Sequence, residues 1–300
     1  MKTNNIRQED ALKKAAVLAE ALPWLLRFQE SIVVIKFGGH AMTSPELTKQ
    51  FAQDVVFLKL AGLKPIVVHG GGPQITKALD KAGIKSEFKS GFRVTTKESV
   101  LIVREVLVNE IQKDLVQLIN SNSKLAVGMS GDTKSLIQVE KMIIQEKGES
   151  VDIGFVGNVK KIDVKQIIDV IDSGQIPVIS TVGLDNNQNI YNVNADIAAS
   201  AIAKSIKAHK FVVLTDVAGL MENYPDETTL IPTIDIDQLK RLIPNLDEGM
   251  KPKMMACLEA VESGVTRAHV IDGRLPHAVL VEVFTNAGTG TMIIESMDKE

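Results

Sequence analysis

The stretch IVVIKFGGHAM, residues 32–42, is an apolar, β-branched run that stops abruptly on two glycines. A second stretch, PIVVHGGGPQI at residues 65–75, repeats this plan after one intervening helical pattern. Glycines directly after a strand let backbone N–H groups approach a ligand, and the N-terminus of the next helix adds partial positive charge. The two endings, with Lys36 beside the first, therefore predict a phosphate site. The alternative, that the glycines only form tight turns, stays open.

The same alternation of strand and helix patterns continues along most of the chain. It predicts strands at 32–37, 65–69, 176–180, 211–216 and 267–272, and helices at 45–61, 73–82, 164–172, 195–206 and 253–263. Such alternation predicts right-handed βαβ units, and hence an α/β fold with a mainly parallel open sheet sandwiched by helices. We expect two lobes, 29–174 and 175–300, with a cleft between them. A helical extension, kinked at Pro23, occupies 1–28.

Other segments carry weaker patterns. A hairpin is predicted at 88–95, followed by a long helix from 97 to 119 that Thr96 caps. The runs AVGMSG, SLIQVEKM and DIGFVGNV, between residues 126 and 159, predict an antiparallel flap beside the main sheet. The β-branched run AVLVEVF, residues 278–284, predicts the last strand.

Composition and missing motifs exclude several classes of protein. The 300 residues carry a net charge of −3, which argues against the basic surface that nucleic-acid binding requires. No apolar run is long enough to cross a membrane. A single cysteine, Cys257, rules out an internal disulfide and favours the cytoplasm. Because GxxxxGK[ST] and GxGxxG are both absent, a P-loop nucleotidase and a dinucleotide-binding dehydrogenase are also excluded.

Three further motifs place polar residues where strands end or helices begin. In NVNADIAAS, residues 192–200, Asn194 can cap a helix and Asp196 suits its first turn, but capping leaves Asn192 unexplained. VLTDVAGLM, residues 213–221, ends a strand on an acidic residue suited to a nucleotide's ribose or phosphates. EGMKPKMMA, residues 248–256, begins a helix with two lysines, although cations oppose the helix dipole there. That unfavourable placement of Lys253 indicates function.

Taken in order, these motifs resemble those of the acetylglutamate kinases, a family of the amino acid kinase superfamily. The motifs that carry the resemblance are IKFGGHAM, VVHGGGPQI, GFRVT, DIGFVGNV, NVNADIAAS, LTDVAGL and EGMKPKM. The resemblance runs from about residue 31 to the C-terminus, and the N-terminal extension is similar to that of the arginine-sensitive branch. It implies the amino acid kinase fold and ATP-dependent phosphorylation of the side-chain carboxylate of N-acetyl-L-glutamate, in arginine biosynthesis.

The resemblance also implies a role for individual residues. Lys36 and Lys253 neutralise the transferring phosphoryl group, and Asp196 holds both ammonium groups in place. The substrate-binding residues that it implies are Gly71, Gly72, Arg93 and Asn192. The nucleotide-binding residues that it implies are Gly38, Gly39, Asp216, Val217, Ala218, Gly219, Leu220 and Lys251. Magnesium is expected to be held by the phosphates and water, because no acidic cluster has ligand spacing.

Two features remain outside this catalytic set. The turn after Gly131 departs from the Lys-Asp-Gly of arginine-sensitive relatives, so no role is assigned to it. The resemblance implies L-arginine as an inhibitor, bound between the N-terminal helix and the C-terminal region, with Glu282 and Gly288 as contacts. It further implies a homo-hexamer, a trimer of dimers joined by exchange of the N-terminal helices, although this helix can also pack on its own subunit.

Two other functions stay open. The first is another kinase of the superfamily, such as a carbamate or glutamate 5-kinase, which shares the glycine-ended strands but not GFRVT paired with NVNAD. The second is a non-catalytic arginine or nucleotide sensor on the same fold. The intact Lys36, Asp196 and Lys253 disfavour the sensor.

Overall fold

The computed structural model of the chain describes residues 2–121, 123–146, 148–285 and 288–296, with the backbone alone for 2–10 and 40. The strands are β1 (Ile32–Phe37), β2 (Lys64–His69), β3 (Phe88–Lys89), β4 (Phe92–Arg93), β5 (Ala126–Ser130), β6 (Ile137–Glu146), β7 (Glu149–Ile162), β8 (Ile176–Ser180), β9 (Val182–Leu184), β10 (Ile190–Asn192), β11 (Lys210–Thr215), β12 (Thr233–Asp235), β13 (Arg267–Asp272) and β14 (Gly290–Ile294). The helices are α1 (Lys2–Glu20), α2 (Leu22–Phe28), α3 (Pro45–Leu60), α4 (Gly72–Lys81), α5 (Lys97–Arg104), α6 (Lys113–Ile119), α7 (Val164–Asp172), α8 (Ala195–Ile206), α9 (Ile236–Leu242), α10 (Lys251–Glu262) and α11 (Ala278–Phe284).

Eight strands form the main sheet, in the order β12-β14-β13-β11-β1-β2-β8-β5. All neighbours pair in parallel except β13 and β14, which are antiparallel. The prediction of a mainly parallel open sheet is therefore confirmed. Because β1 and β2 are neighbours, their two glycine endings lie side by side at the carboxyl edge of the sheet. Strand β8 lies between β2 and β5, so this half of the sheet extends past residue 174.

Both faces of the sheet are covered. Val34 of β1 belongs to an apolar core on one face, whereas Val33 and Ile35 belong to a separate core on the other. Successive side chains of a strand point to opposite faces, so a run that is apolar at every position requires helices on both sides. Burial on both faces therefore explains why residues 32–35 of β1 are all apolar.

The antiparallel flap is confirmed only in part. β6 and β7 form a long antiparallel hairpin, and with β9 and β10 they close into a small sheet of their own. The run AVGMSG does not belong to it: β5 is the edge strand of the main sheet and pairs in parallel with β8. The prediction failed because β8, the partner of β5, lies about 50 residues further along the chain, and no local pattern reveals this pairing.

The C-terminal prediction of a strand at 278–284 is wrong, since this run forms α11. Its buried side chains include Val279 and Val283, which are four residues apart and thus share one helical face. The strand propensity of β-branched residues yields here to packing against α3. The sequence interpretation also missed β12 and β14, two short strands at one edge of the sheet.

The N-terminal extension breaks at Ala21, shortly before the predicted kink at Pro23. Helix α1 ends at Glu20, and Pro23 lies in the first turn of α2, where a missing N–H costs nothing. Phe28 anchors α2 in the core, but Leu12, Val17 and Leu18 of α1 remain largely exposed. None of the helices in the described part of the chain has the length and apolar run that a membrane crossing requires.

Candidate active site

At the first glycine ending, after β1, the side chain of Lys36 lies against the backbone of Gly38. The lysine is 6 % exposed, and a Cβ added at Gly38 would lie 2.9 Å from its Nζ atom. Gly39 has φ +72°, which favours glycine, and its added Cβ would lie 2.5 Å from Oδ1 of Asp216. The turn therefore leaves room for an ammonium group on one side and a carboxylate on the other.

Asp196 lies between two lysines. Its Oδ1 is 3.1 Å from Nζ of Lys36, and its Oδ2 is 3.7 Å from Nζ of Lys253. Burial by itself raises the pKa of Asp196, but the charges of the two lysines outweigh burial and lower the pKa below its ordinary value. An ionised Asp196 thus holds two ammonium groups together, as the resemblance implied.

Helix α8 places Asp196 at this point. Asn194 caps the helix, its side-chain oxygen accepting from the backbone N–H of Asp196 at 2.8 Å and of Ile197 at 3.2 Å. The helix carries a run of small residues that are almost fully buried: Ala198, Ala199, Ala201 and Ala203. Small side chains let α8 pack closely on β1 and α10, which carry Lys36 and Lys253.

The second glycine ending, after β2, packs against a helix that contains a π-helical stretch. α5 and α6 are joined by a π-helical stretch, Glu105–Gln112, within the long helix that the sequence predicted. A Cβ added at Gly71 would lie 2.4 Å from Cδ1 of Ile111 and 3.0 Å from Cδ2 of Leu107. A side chain at this position would require Ile111 and Leu107 to move, and π-helical turns occur frequently at functional sites.

Arg93 closes the cavity on the side of the hairpin β3–β4. Its guanidinium donates to Oγ of Ser86, Oγ1 of Thr76 and the carbonyl of Gly72. It also lies 4.6 Å from the ring centroid of Phe88. Burial lowers the pKa of Arg93, while the Asp80 charge raises it. A buried arginine in the wall of a glycine-lined cavity is suited to binding a carboxylate.

These elements enclose a cavity of about 180 Å³. Of the residues that the resemblance implied for catalysis and substrate, it is lined by Lys36, Gly71, Gly72, Arg93, Asn192 and Asp196. Gly38 and Gly39, implied for the nucleotide, line it as well. Lys253 does not line the cavity itself, but it forms an ion pair with Asp196, which does. The sequence interpretation missed the other part of its wall, which is mainly apolar: Ile75, Phe88, Phe92, Leu107, Val156 and Thr181. Phe92 and Val156 lie within the motifs GFRVT and DIGFVGNV, but the sequence interpretation assigned neither residue a role. The others are dispersed in sequence and look like ordinary core, so no sequence signal singles them out.

The remaining nucleotide positions are not gathered into this cavity. Asp216 lies behind Gly39, and none of the residues 217–220, all of which the structure describes, lines the cavity. Leu220 instead donates its N–H to Oγ1 of Thr291 at 2.8 Å. Lys251 lines a separate cavity of about 420 Å³ between α10 and the two hairpins.

The turn after Gly131 has a structural partner. Asp132 accepts from Nε of Arg104 at 2.5 Å and from the hydroxyl of Ser130. The buried carboxylate thus ties the end of β5 to α5, outside the residues that line the cavity. This arrangement assigns the turn no chemical role.

A second polar cavity, of about 300 Å³, lies between α2 and the C-terminal region, and we call it the peripheral cavity. Both Glu282 and Gly288 line it. Glu282 accepts from the N–H of Thr289 at 2.9 Å, and its Oε1 lies 2.6 Å from Nδ1 of His269. The sequence interpretation missed the cations and the aromatic residues of its wall: Trp24, Arg27, Phe28, Lys210, Arg267 and His269.

Two charged groups of the peripheral cavity, Lys210 and Glu282, have shifted pKa values. Burial lowers the pKa of this lysine to about 8, although the Glu282 carboxylate raises it. The same carboxylate has a pKa below its ordinary value, because His269, the Thr289 N–H and Lys210 together outweigh its burial. The cavity thus presents one anion and several cations, which suits a ligand with charges of both signs.

A carboxylate between two lysines, at the glycine-lined edge of a parallel sheet, suits an α/β enzyme that transfers phosphoryl groups. The model of the amino acid kinase family matches residues 31–272. An acetylglutamate kinase from Saccharopolyspora erythraea is 52% identical over 288 residues, which cover 96% of this chain and 95% of that relative. The chain belongs to the amino acid kinase family, among the acetylglutamate kinases.

Solved structures show the same fold at lower identity. N-acetylglutamate synthase from Neisseria gonorrhoeae, complexed with coenzyme A and N-acetyl-glutamate, is similar with a TM-score of 0.83 and 22% identity. The likeness covers 94% of this chain and 63% of that longer one. The same synthase complexed with coenzyme A and L-arginine gives a TM-score of 0.78 at 22% identity, covering 94% of this chain and 65% of that one.

Proposed function

We propose that this chain is an acetylglutamate kinase, which transfers the γ-phosphoryl group of ATP to the side-chain carboxylate of N-acetyl-L-glutamate in arginine biosynthesis. The observation that carries the proposal is Asp196 held between Lys36 and Lys253 beside two glycine-ended strands. The identity of about half with a curated acetylglutamate kinase, over nearly the full length of both chains, supports it.

The reaction needs no general base. A glutamate-like carboxyl has a pKa of about 4.3, so the nucleophile is already ionised at neutral pH. The difficulty is to bring this anion against an anionic phosphate. Lys36 and Lys253 lower that repulsion, and Asp196 keeps both in position before substrate arrives. Positioning and charge stabilisation account for nearly all catalysis of phosphoryl transfer.

The cavity wall suits the substrate at both ends. Arg93 would exchange some of its present contacts for the α-carboxylate, and Asn192 would bind the same molecule. Asn192 lies close to the hairpin, donating to Oγ1 of Thr95 at 3.4 Å. The apolar side chains of Leu107 and Val156 leave a place for the acetyl methyl group. Glutamate lacks this group and carries an ammonium instead, which is costly to bury against apolar side chains.

The nucleotide would bind from the glycine turn of β1 toward Asp216, with residues 217–220 and Lys251 on the same side. Among the residues that the structure describes, no three His, Cys, Asp or Glu side chains form a metal-ligand group. Both oxygens of Asp196 already face lysines. Magnesium would therefore be held mainly by the phosphates and water, where it neutralises phosphate charge.

Regulation by L-arginine belongs to the same proposal. Glu282 would take the guanidinium, and Lys210 and Arg267 would take the α-carboxylate, with Gly288 close by. The peripheral cavity has charges of both signs, as this ligand requires, and a synthase of similar fold has been solved with L-arginine. The exposed apolar residues of α1 support a homo-hexamer in which this helix packs on a neighbouring subunit. We place the enzyme in the cytoplasm.

A substrate panel tests the proposal. The purified chain is given MgATP with N-acetyl-L-glutamate, L-glutamate or carbamate, and acyl phosphate is trapped as the hydroxamate. We expect turnover with N-acetyl-L-glutamate alone. Preference for glutamate or carbamate would instead assign the chain to one of the sister kinases. No ATP consumption with any of the three would favour the sensor.

A further inference from the structure

Helix α11 is capped by a residue from another helix. Asp54 of α3 is 2 % exposed, and its Oδ1 lies 2.5 Å from Nδ1 of His277. The N–H groups of Val279 and Leu280, in the first turn of α11, also donate to this carboxylate. His277 occupies the N-cap position with φ +55° and makes no side-chain cap of its own. Asp54 thus supplies the capping carboxylate that α11 lacks.

α11 leads from this cap to the peripheral cavity. Glu282 follows Val279 by less than one turn and lines the cavity. The helix is only seven residues long and packs on α3, with Phe284 edge-on to Phe57 at 5.6 Å. So short a packed helix moves as one body, and a shift at its capped end is also a shift of Glu282.

α3 leads from the same cap to the active site. It begins directly after the turn Gly39–Met42, and Oγ1 of Thr48 donates to the carbonyl of Ala41 at 3.2 Å. The loop between β13 and α11 touches this turn as well, since a Cβ added at Gly273 would lie 3.4 Å from Cβ of Ala41. The turn that follows Lys36 and approaches Asp216 through Gly39 therefore shares one anchor with the helix that carries Glu282.

We propose that Asp54 is a positioning residue that couples the peripheral cavity to the glycine turn of the active site by clamping α11 to α3. The inference rests on the arginine regulation proposed above. Asp54 is absent from the residues that line either cavity, as far as the structure describes them. Its effect must therefore pass through α3 and α11, two rigid elements in contact, rather than through a ligand.

Two substitutions weaken the clamp in different ways. Asp54→Asn keeps the size of the side chain but removes its charge. His277→Gly removes the imidazole and suits the positive φ at that position. In both variants we expect the arginine concentration for half-inhibition to rise about tenfold, within the usual range of allosteric coupling. The turnover without arginine and the KM for N-acetyl-L-glutamate should stay within about twofold, since neither residue lines the active site.

Three comparisons decide the outcome. The arginine concentration for half-inhibition of the double variant should not exceed that of the more strongly affected single variant, because both changes act on one clamp. Asp169→Asn, which breaks an exposed ion pair with Lys165 on α7, should leave the arginine response unchanged. A melting temperature that falls while half-inhibition stays at the wild-type value would reduce Asp54 to a structural role and overturn the inference. If Asp54→Asn does not fold, His277→Gly alone decides.

The wild-type enzyme separates this inference from the function on which it rests. Kinase activity that arginine neither inhibits nor changes would overturn the proposed regulation, and the clamp with it. Inhibition of the wild type and of both variants at the same arginine concentration would leave the regulation intact and overturn only the clamp.

Discussion

Asp196 is the residue on which the active-site charges depend. A buried carboxylate without cations is strongly unfavourable, and a pair of buried cations without a carboxylate is equally so. Here Lys36 is within 3.1 Å and Lys253 within 3.7 Å of it. The three groups are therefore stable as a set, before any phosphate enters, and each also has a place in the chemistry.

Lys36→Met removes one cation from this set. Turnover should fall by about 100-fold or more, as when a transition-state donor is removed, while the KM for N-acetyl-L-glutamate changes little. The variant should also melt at a lower temperature, because Asp196 keeps only its more distant partner. Steady-state kinetics and thermal unfolding measure the two effects. Near-normal turnover would contradict the catalytic role of Lys36.

Lys210 should make arginine inhibition depend on pH. Its pKa in the folded chain is about 8, below its ordinary value, so the ammonium loses its proton as pH rises through about 8. The charged form costs stability at neutral pH, and this cost fades between pH 8 and the unfolded value of about 10.4. The arginine concentration for half-inhibition should rise from pH 7 to pH 9.

Lys210→Arg provides the control, since its guanidinium stays charged throughout this pH range. The rise in half-inhibition should then shrink to what the titration of free arginine causes. An equal rise in both proteins would show that Lys210 does not contact the inhibitor.

At the scale of elements, the site depends on close approaches that small residues permit. The glycine ending of β2 lies against the π-helical stretch, and the alanines of α8 bring β1 and α10 together around one carboxylate. Side-chain volume at these contacts decides where the polar groups lie, although none of the packing residues is polar. Mutations of apolar residues should therefore affect catalysis.

Gly71→Ala should lower activity, because the new methyl group would lie 2.4 Å from Cδ1 of Ile111 and must displace either the turn or the Ile111 side chain that packs behind it. Ile111→Val removes that methyl group and should restore part of the lost activity in the double variant. Ile111→Val alone is the matched control and should remain active. Kinetics and melting temperature are compared across all four proteins; the absence of any rescue would contradict this account of the close approach.

At the scale of the whole molecule, the two cavities lie on one sheet, and the described side chains of the N-terminal extension, from residue 11 onward, border the peripheral cavity but not the active site. α2 supplies Trp24, Arg27 and Phe28 to that cavity, and Phe28 belongs to the core. α1 supplies no residue to it, as far as the structure describes its side chains. The two helices can therefore be separated by experiment.

Deleting residues 2–20 removes α1 and keeps α2. We expect light scattering to show a fall from hexamer to dimer, with kinase activity retained. Deleting residues 2–28 should in addition abolish the arginine response, because it removes part of the cavity wall. A hexamer that survives the shorter deletion would contradict the exchange of α1 between subunits.

The sequence by itself determined the alternating α/β plan, the two glycine-ended strands, a break in the N-terminal helix close to Pro23 and the family, because each is encoded by neighbouring residues. Only the tertiary structure decided which strands are neighbours, as with β5, which pairs far from its place in the chain. It also decided that 278–284 is a helix, since packing against α3 outweighs local propensity. The meeting of Lys36, Asp196 and Lys253, and the clamp of Asp54, likewise arise from contacts between distant segments, which no local pattern encodes.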